Sequence, residues 1–198
     1  MVNVLCIGDS HTVGFPDYDP MFGGNVQSSY QFWLTEKLDE MDCAKKFCFI
    51  NRGVCGDTSD SIVLRLLRCL DTVAVDLIIL QGGTNDLGML PPDEIFLKLK
   101  QGYSACLKRG LPVIAVTVPP LNFKEYESKV MLVNRAVIEY AENNPHAFTA
   151  DWFKTLRTDD NMLKAEYDEG DGVHFSVQGY RKAGITLAKP VVDAVLSF

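Results

Sequence analysis

Long apolar runs are missing from this 198-residue chain. No stretch approaches the roughly 20 apolar residues a helix needs to cross a bilayer. The first residues, Met1 to Gly8, carry no positive region and too short an apolar run for a secretory signal. Paired cysteine spacing is also missing. Cys6, Cys43, Cys48, Cys55, Cys69 and Cys106 contain no Cys-x-x-Cys, which predicts buried free thiols in a reducing compartment and a cytoplasmic protein. Basic charge is scarce: 19 Lys and Arg stand against 26 Asp and Glu, for a net charge of −7. Adjacent basic residues occur only at Lys45-Lys46, Lys108-Arg109 and Arg181-Lys182. Phosphate backbones repel such a chain, so no nucleic-acid partner and no stable membrane anchoring are expected. There is no His-Glu-x-x-His, no Gly-x-Gly-x-x-Gly and no Gly-Lys dipeptide. Metal, dinucleotide and P-loop chemistry therefore lack their usual signatures, and no metal or cofactor is expected.

What is present is a repeated alternation of strand and helix patterns. Val2–Ile7, Phe47–Asn51, Val75–Leu80, Leu111–Val118 and Ala147–Ala150 read as strands. Between them, apolar residues recur at helical spacing, as in Ile62, Val63, Leu66, Leu67 and Leu70. Ser28 or Ser29 caps a helix reaching about Met41, Pro91-Pro92-Asp93 opens another, and Ser176 opens the last, with a bend expected at Pro190. The pattern predicts an α/β protein: a three-layer α/β/α sandwich around a five-stranded parallel, flavodoxin-like sheet of order 2-1-3-4-5. Neither a repeat nor a linker interrupts it, so residues 1–198 read as one domain. Two stretches, His11–Gln27 and Trp152–Val173, are longer than compact connections need, and each follows a strand at the sheet edge where ligands bind in such folds.

Polar clusters gather at the same edge. Gly8-Asp9-Ser10 follows the first strand, Asn51-Arg52-Gly53-Val54-Cys55-Gly56-Asp57 the second, and Gln81-Gly82-Gly83-Thr84-Asn85-Asp86 the third. In the order 2-1-3 these ends are neighbours, so Ser10, Gly53 and Asn85 bring a hydroxyl, a backbone N–H and a side-chain amide together. Asp171-Gly172-Val173-His174 precedes the last helix. A serine needs a base to become a nucleophile. His174 has the best context among the three histidines, because Asp171 three residues upstream can turn back onto its ring and fix its tautomer. Ser10 N–H, Gly53 N–H and the Asn85 amide are candidate oxyanion donors. His11, Phe15 and Phe175 are candidate substrate contacts.

The four clusters, in this order from Gly8 to Tyr180, resemble the SGNH (GDSL-like) hydrolase superfamily. The resemblance implies a Ser10–His174–Asp171 triad, an oxyanion hole from Ser10, Gly53 and Asn85, and hydrolysis of small esters through an acyl-serine, without metal or cofactor. Two positions depart from the family pattern: His11 stands where an apolar residue is usual, and Phe175 where a proline often follows the histidine. Small members cleave acetyl esters of sugars, aryl esters, lysophospholipids or thioesters. No long apolar groove or lid is readable here, so short acyl chains are expected. An acyltransferase would use the same residues with an alcohol acceptor. A flavodoxin-like binding module would need the fold but not Asp-x-x-His. The Gly-x-Ser-x-Gly elbow of α/β-hydrolases is absent.

Overall fold

The computed structural model describes residues 1–43 and 45–197. Five parallel strands build the main sheet: β1 (Val2–Gly8), β4 (Phe47–Gly53), β5 (Leu77–Leu80), β6 (Val113–Val116) and β7 (Ala147–Ala150). Their spatial order is β4-β1-β5-β6-β7, which is the expected 2-1-3-4-5. Residues alternate strictly between the two faces. Val4, Cys6, Leu77, Ile79, Ile114 and Val116 point into one core, and Leu5, Ile7, Ile78, Leu80, Val113 and Ala115 into the other. The first core is closed by α2 (Tyr30–Glu40) and α7 (Val177–Leu196), the second by α3 (Ser59–Thr72), α4 (Pro92–Lys108) and α5 (Glu127–Glu142). With both faces covered, the central strands carry no exposed side chain, which explains why they read as unbroken apolar runs.

Helix ends follow local chemistry. The Ser29 hydroxyl accepts from Phe32 N–H at the start of α2, and Ser176 accepts from Gly179 N–H at the start of α7. α7 continues through Pro190 to Leu196. The stretch after β1 is not structureless: it holds a one-turn helix α1 (Ser10–Val13) and a small hairpin of β2 (Tyr18–Asp19) and β3 (Gly23–Gly24). The stretch after β7 holds α6 (Trp152–Leu156), whose fully buried Trp152 donates its indole N–H to the Ala183 carbonyl. All six cysteines are free, but Cys48 and Cys55 are exposed, which corrects the expectation that the thiols are buried. Among the described residues, no helix is long and apolar enough to cross a membrane.

Candidate active site

Register brings the polar clusters together. Gly8 of β1 lies opposite Gly53 of β4, and Ile7 opposite Leu80 of β5, so three strands end at one level. Arg65 of α3 fastens that edge. Its guanidinium donates to the Gly8 carbonyl at 2.9 Å, to the Arg52 carbonyl at 2.6 Å and to the Asp57 carboxylate at 2.7 Å.

Ser10 opens α1, with Asp9 as N-cap accepting from His11 N–H. Its Oγ lies 3.0 Å from His174 Nε2, and His174 Nδ1 lies 2.6 Å from Asp171 Oδ2. With the Nδ1 proton directed at Asp171, Nε2 turns its lone pair to the serine hydroxyl. The Asp-x-x-His spacing works because Asp171 Oδ1 also accepts the backbone N–H of Val173 and His174, folding carboxylate and imidazole onto one turn. That turn is braced from outside. Asp168 Oδ1 accepts Gly170 and Gly172 N–H, Asn122 donates its side-chain amide to Asp168 Oδ2, and Asn122 N–H bonds the Gly172 carbonyl. Burial alone would raise the Asp171 carboxyl. The hydrogen bonds from the His174 ring and from the His174 and Val173 N–H groups outweigh it and hold the acid down at about 2.

The expected oxyanion donors do not all stand free. Gly53 N–H donates to the Asn51 side-chain oxygen at 2.9 Å, so its one proton is engaged. Gly53 is instead a packing glycine: a Cβ there would meet Val13 N at 2.3 Å, and its absence lets α1 sit on β4. This corrects the oxyanion assignment of Gly53. Asn85 donates one amide proton to the Asp57 carbonyl at 2.9 Å, which leaves its second proton available and ties it to the 54–57 turn. In that turn Gly56 is exposed and has φ +75°, and among the described residues its N–H finds no acceptor. Sequence reading passed over Gly56, although Gly-Asp-Thr just before a helix was the available signal. Asp86, buried beside Asn85, accepts both the N–H and the hydroxyl of Ser59 and so moors this segment to α3.

Of the candidate substrate contacts, only Phe15 is accessible. It is 39% exposed, its ring centroid is 4.5 Å from that of His174, and Tyr180 Oη holds its carbonyl at 2.7 Å. His11 and Phe175 are 0% exposed, which corrects their assignment as substrate contacts. Phe175 packs against Trp152 and Tyr180 because the chain dives into the core directly after His174. His11 is held between Asp9 and the Val173 carbonyl. A groove of about 1030 Å³, not readable in the sequence, opens along β4 between the β2–β3 hairpin and α3, and Ser10, Asn85, Asp171 and His174 do not line it. It is lined by Val13, Tyr18, Met21, Phe22, Val54 and Arg68, among others. Among the described residues, no group of three or more His, Cys, Asp or Glu is arranged to hold a metal ion.

An α/β/α sandwich with Ser, His and Asp converging at its strand ends defines a class of hydrolytic scaffold. The chain belongs to the GDSL-like lipase/acylhydrolase family, whose model matches residues 6–182. Solved structures agree on the fold. A lipase/acylhydrolase from Enterococcus faecalis superposes with a TM-score of 0.78 at 19% identity, covering 96% of this chain and 95% of that one. A member of the lipolytic protein G-D-S-L family from Veillonella parvula DSM 2008 gives 0.77 at 19%, covering 96% and 97%. A carbohydrate acetylesterase family member from Sinorhizobium meliloti gives 0.73 at 20%, covering all of both chains. None of the curated proteins compared with the chain matches it.

Proposed function

We propose that residues 1–198 form one catalytic domain that hydrolyses short-chain carboxylic esters, acetyl esters foremost, through an acyl-serine intermediate. The observation that carries this reading is the unbroken chain of contacts Ser10 Oγ–His174 Nε2 and His174 Nδ1–Asp171 Oδ2. Ser10 attacks the ester carbonyl as His174 takes its proton. His174 then gives that proton to the leaving alcohol, and Asp171 stabilises the imidazolium between the two steps. The oxyanion is held by the N–H groups of Ser10 and Gly56 and by the free amide proton of Asn85. Water, deprotonated by His174, attacks the acyl-serine, and as the acid leaves His174 returns that proton to Ser10 Oγ. The Phe15 ring against His174 narrows one side of the site and favours a small acyl group. The name of the Sinorhizobium meliloti relative, a carbohydrate acetylesterase family member, supports the choice of acetyl esters.

The test is hydrolysis of p-nitrophenyl esters, acetate through dodecanoate, by wild type and Ser10→Ala in parallel. Turnover should be highest at short chains and fall at least about 10³-fold in the variant. Near-normal activity in Ser10→Ala would overturn the nucleophile assignment, and a preference for long chains would overturn the acyl assignment.

A further inference from the structure

The ester-hydrolase reading leaves one buried titratable side chain of the nucleophile turn without a role. His11 is fully buried between that turn and the segment carrying the base. Its Nδ1 lies 3.1 Å from Asp9 Oδ1, and its Nε2 lies 3.0 Å from the Val173 carbonyl oxygen, one residue before His174. A carbonyl can only accept. The Asp9 carboxylate already accepts His11 N–H at Oδ1 and the Gln81 amide at Oδ2, which favours its ionised form. A neutral imidazole has one N–H and one lone pair, so it would turn that lone pair onto an acceptor. An imidazolium donates at both nitrogens.

We propose that Asp9 and His11 form a buried ion pair, with the proton on the imidazole, that clamps Val173 and so holds His174 against Ser10. His11 is then a positioning residue: it touches no reacting atom and acts through the backbone next to the base. The proposal rests on the catalytic reading of Ser10 and His174. It supplies a physical reason for a histidine at this position.

The clamp has a pH window. Burial opposes a charged His11 ring, but the hydrogen bond and charge of Asp9, the Val173 carbonyl and the charge of Asp171 outweigh burial and raise its pKa. Its contribution is therefore complete below the unfolded value of about 6.5 and is lost as pH rises through the raised folded value. Burial would raise Asp9, but His11 and Gln81 pull it down. Its contribution is present above about 3.8 and is lost as pH falls through the lowered value. Other titratable groups face the pair from several elements. They are Asp171 and His174 on the loop before α7, Tyr30 on α2, Tyr180 on α7, Cys55 in the turn after β4 and Asp86 in the segment after β5. Burial pushes Tyr30, Tyr180 and Cys55 upward, which keeps them neutral where the clamp works.

Two readouts test this. In nitrogen-15 NMR of the wild type at pH 6.5, the ordinary histidine value, the His11 ring should show both nitrogens predominantly protonated and in slow exchange. A neutral His11 ring overturns the proposal whether or not an ester substrate has been found. In kinetics, His11→Asn retains a donor toward Asp9 but cannot reach Val173, whereas His11→Gln can. His11→Asn should lose about 10–100-fold in kcat with KM within about twofold. His11→Gln should retain more of kcat and should lack the alkaline fall that the wild type shows. Equal kcat and equal pH profiles in all three proteins overturn the positioning role. If His11→Asn fails to fold, the profile of His11→Gln and the wild-type spectrum decide.

Discussion

Asp171 shows how much one carboxylate gains from three N–H donors. Held at about 2, it stays ionised across any pH at which an esterase would be assayed. Because the folded value lies below the ordinary 3.8, its stabilising effect is present above that pH and is lost only as pH falls toward 2. Protonation of Asp171 should therefore leave kcat/KM untouched down to about pH 3. A pH–rate profile in which Asp171 takes up its proton above pH 3 would show that it is not held as the hydrogen bonds indicate. Asn85 makes a separable prediction. Asn85→Ala removes one oxyanion donor and should lower kcat about 10²–10³-fold with a smaller change in KM. An effect confined to KM would remove Asn85 from the transition state. The contact of Asp171 with His174 was legible in the sequence because Asp-x-x-His is a local turn whose geometry depends on only four residues, whereas the place of Ser10 beside them was not.

Elements decide where the donors point, and here the sequence was less informative. Asn-Arg-Gly has the composition of a turn, yet β4 continues through Gly53 because pairing with Gly8 of β1 extends the ladder two residues beyond the expected end at Asn51. That pairing, together with the close approach of α1, makes Gly53 a packing residue and moves the open backbone N–H to Gly56. His11 and Phe175 were misread for a related reason: residues adjacent to a catalytic residue can point into the core, and only the path of the chain shows which do. The Asn85 segment depends on Asp86, which is bonded twice to Ser59 at the start of α3. Asp86→Ala leaves the buried Ser59 N–H and hydroxyl without an acceptor and should cost about 1–3 kcal/mol. Urea unfolding would show this as a lower midpoint at unchanged m, accompanied by reduced kcat as Asn85 loosens. Unchanged stability would mean that the α3 mooring is not what holds this segment.

At the scale of the whole molecule, the sheet separates two cores that, among the described residues, share no side chain. Ile114 belongs to the core under α2 and α7, and Ile95 to the core under α3, α4 and α5. Ile114→Val and Ile95→Val should each cost about 0.5–1.5 kcal/mol, lowering Tm by roughly 1–6 °C. The double variant should equal the sum within about 0.5 kcal/mol, because the sites touch different neighbours. A larger coupling, read from equilibrium unfolding, would show that the sheet transmits strain between its faces.

The layered α/β architecture and the contact of Asp171 with His174 were readable from the chain alone, because each follows from short-range pattern: apolar runs buried on two faces, helical spacing between them, and a four-residue turn. The strand order came from the fold class those patterns imply, and the ladder of parallel pairings agrees with it. Tertiary structure alone decided that Ser10 and His174, 164 residues apart, meet at 3.0 Å. It also decided that Gly53 packs while Gly56 stays open, and that His11 bridges Asp9 to Val173 from inside the core. Those outcomes depend on register and burial, which arise only when distant segments exclude water from one another.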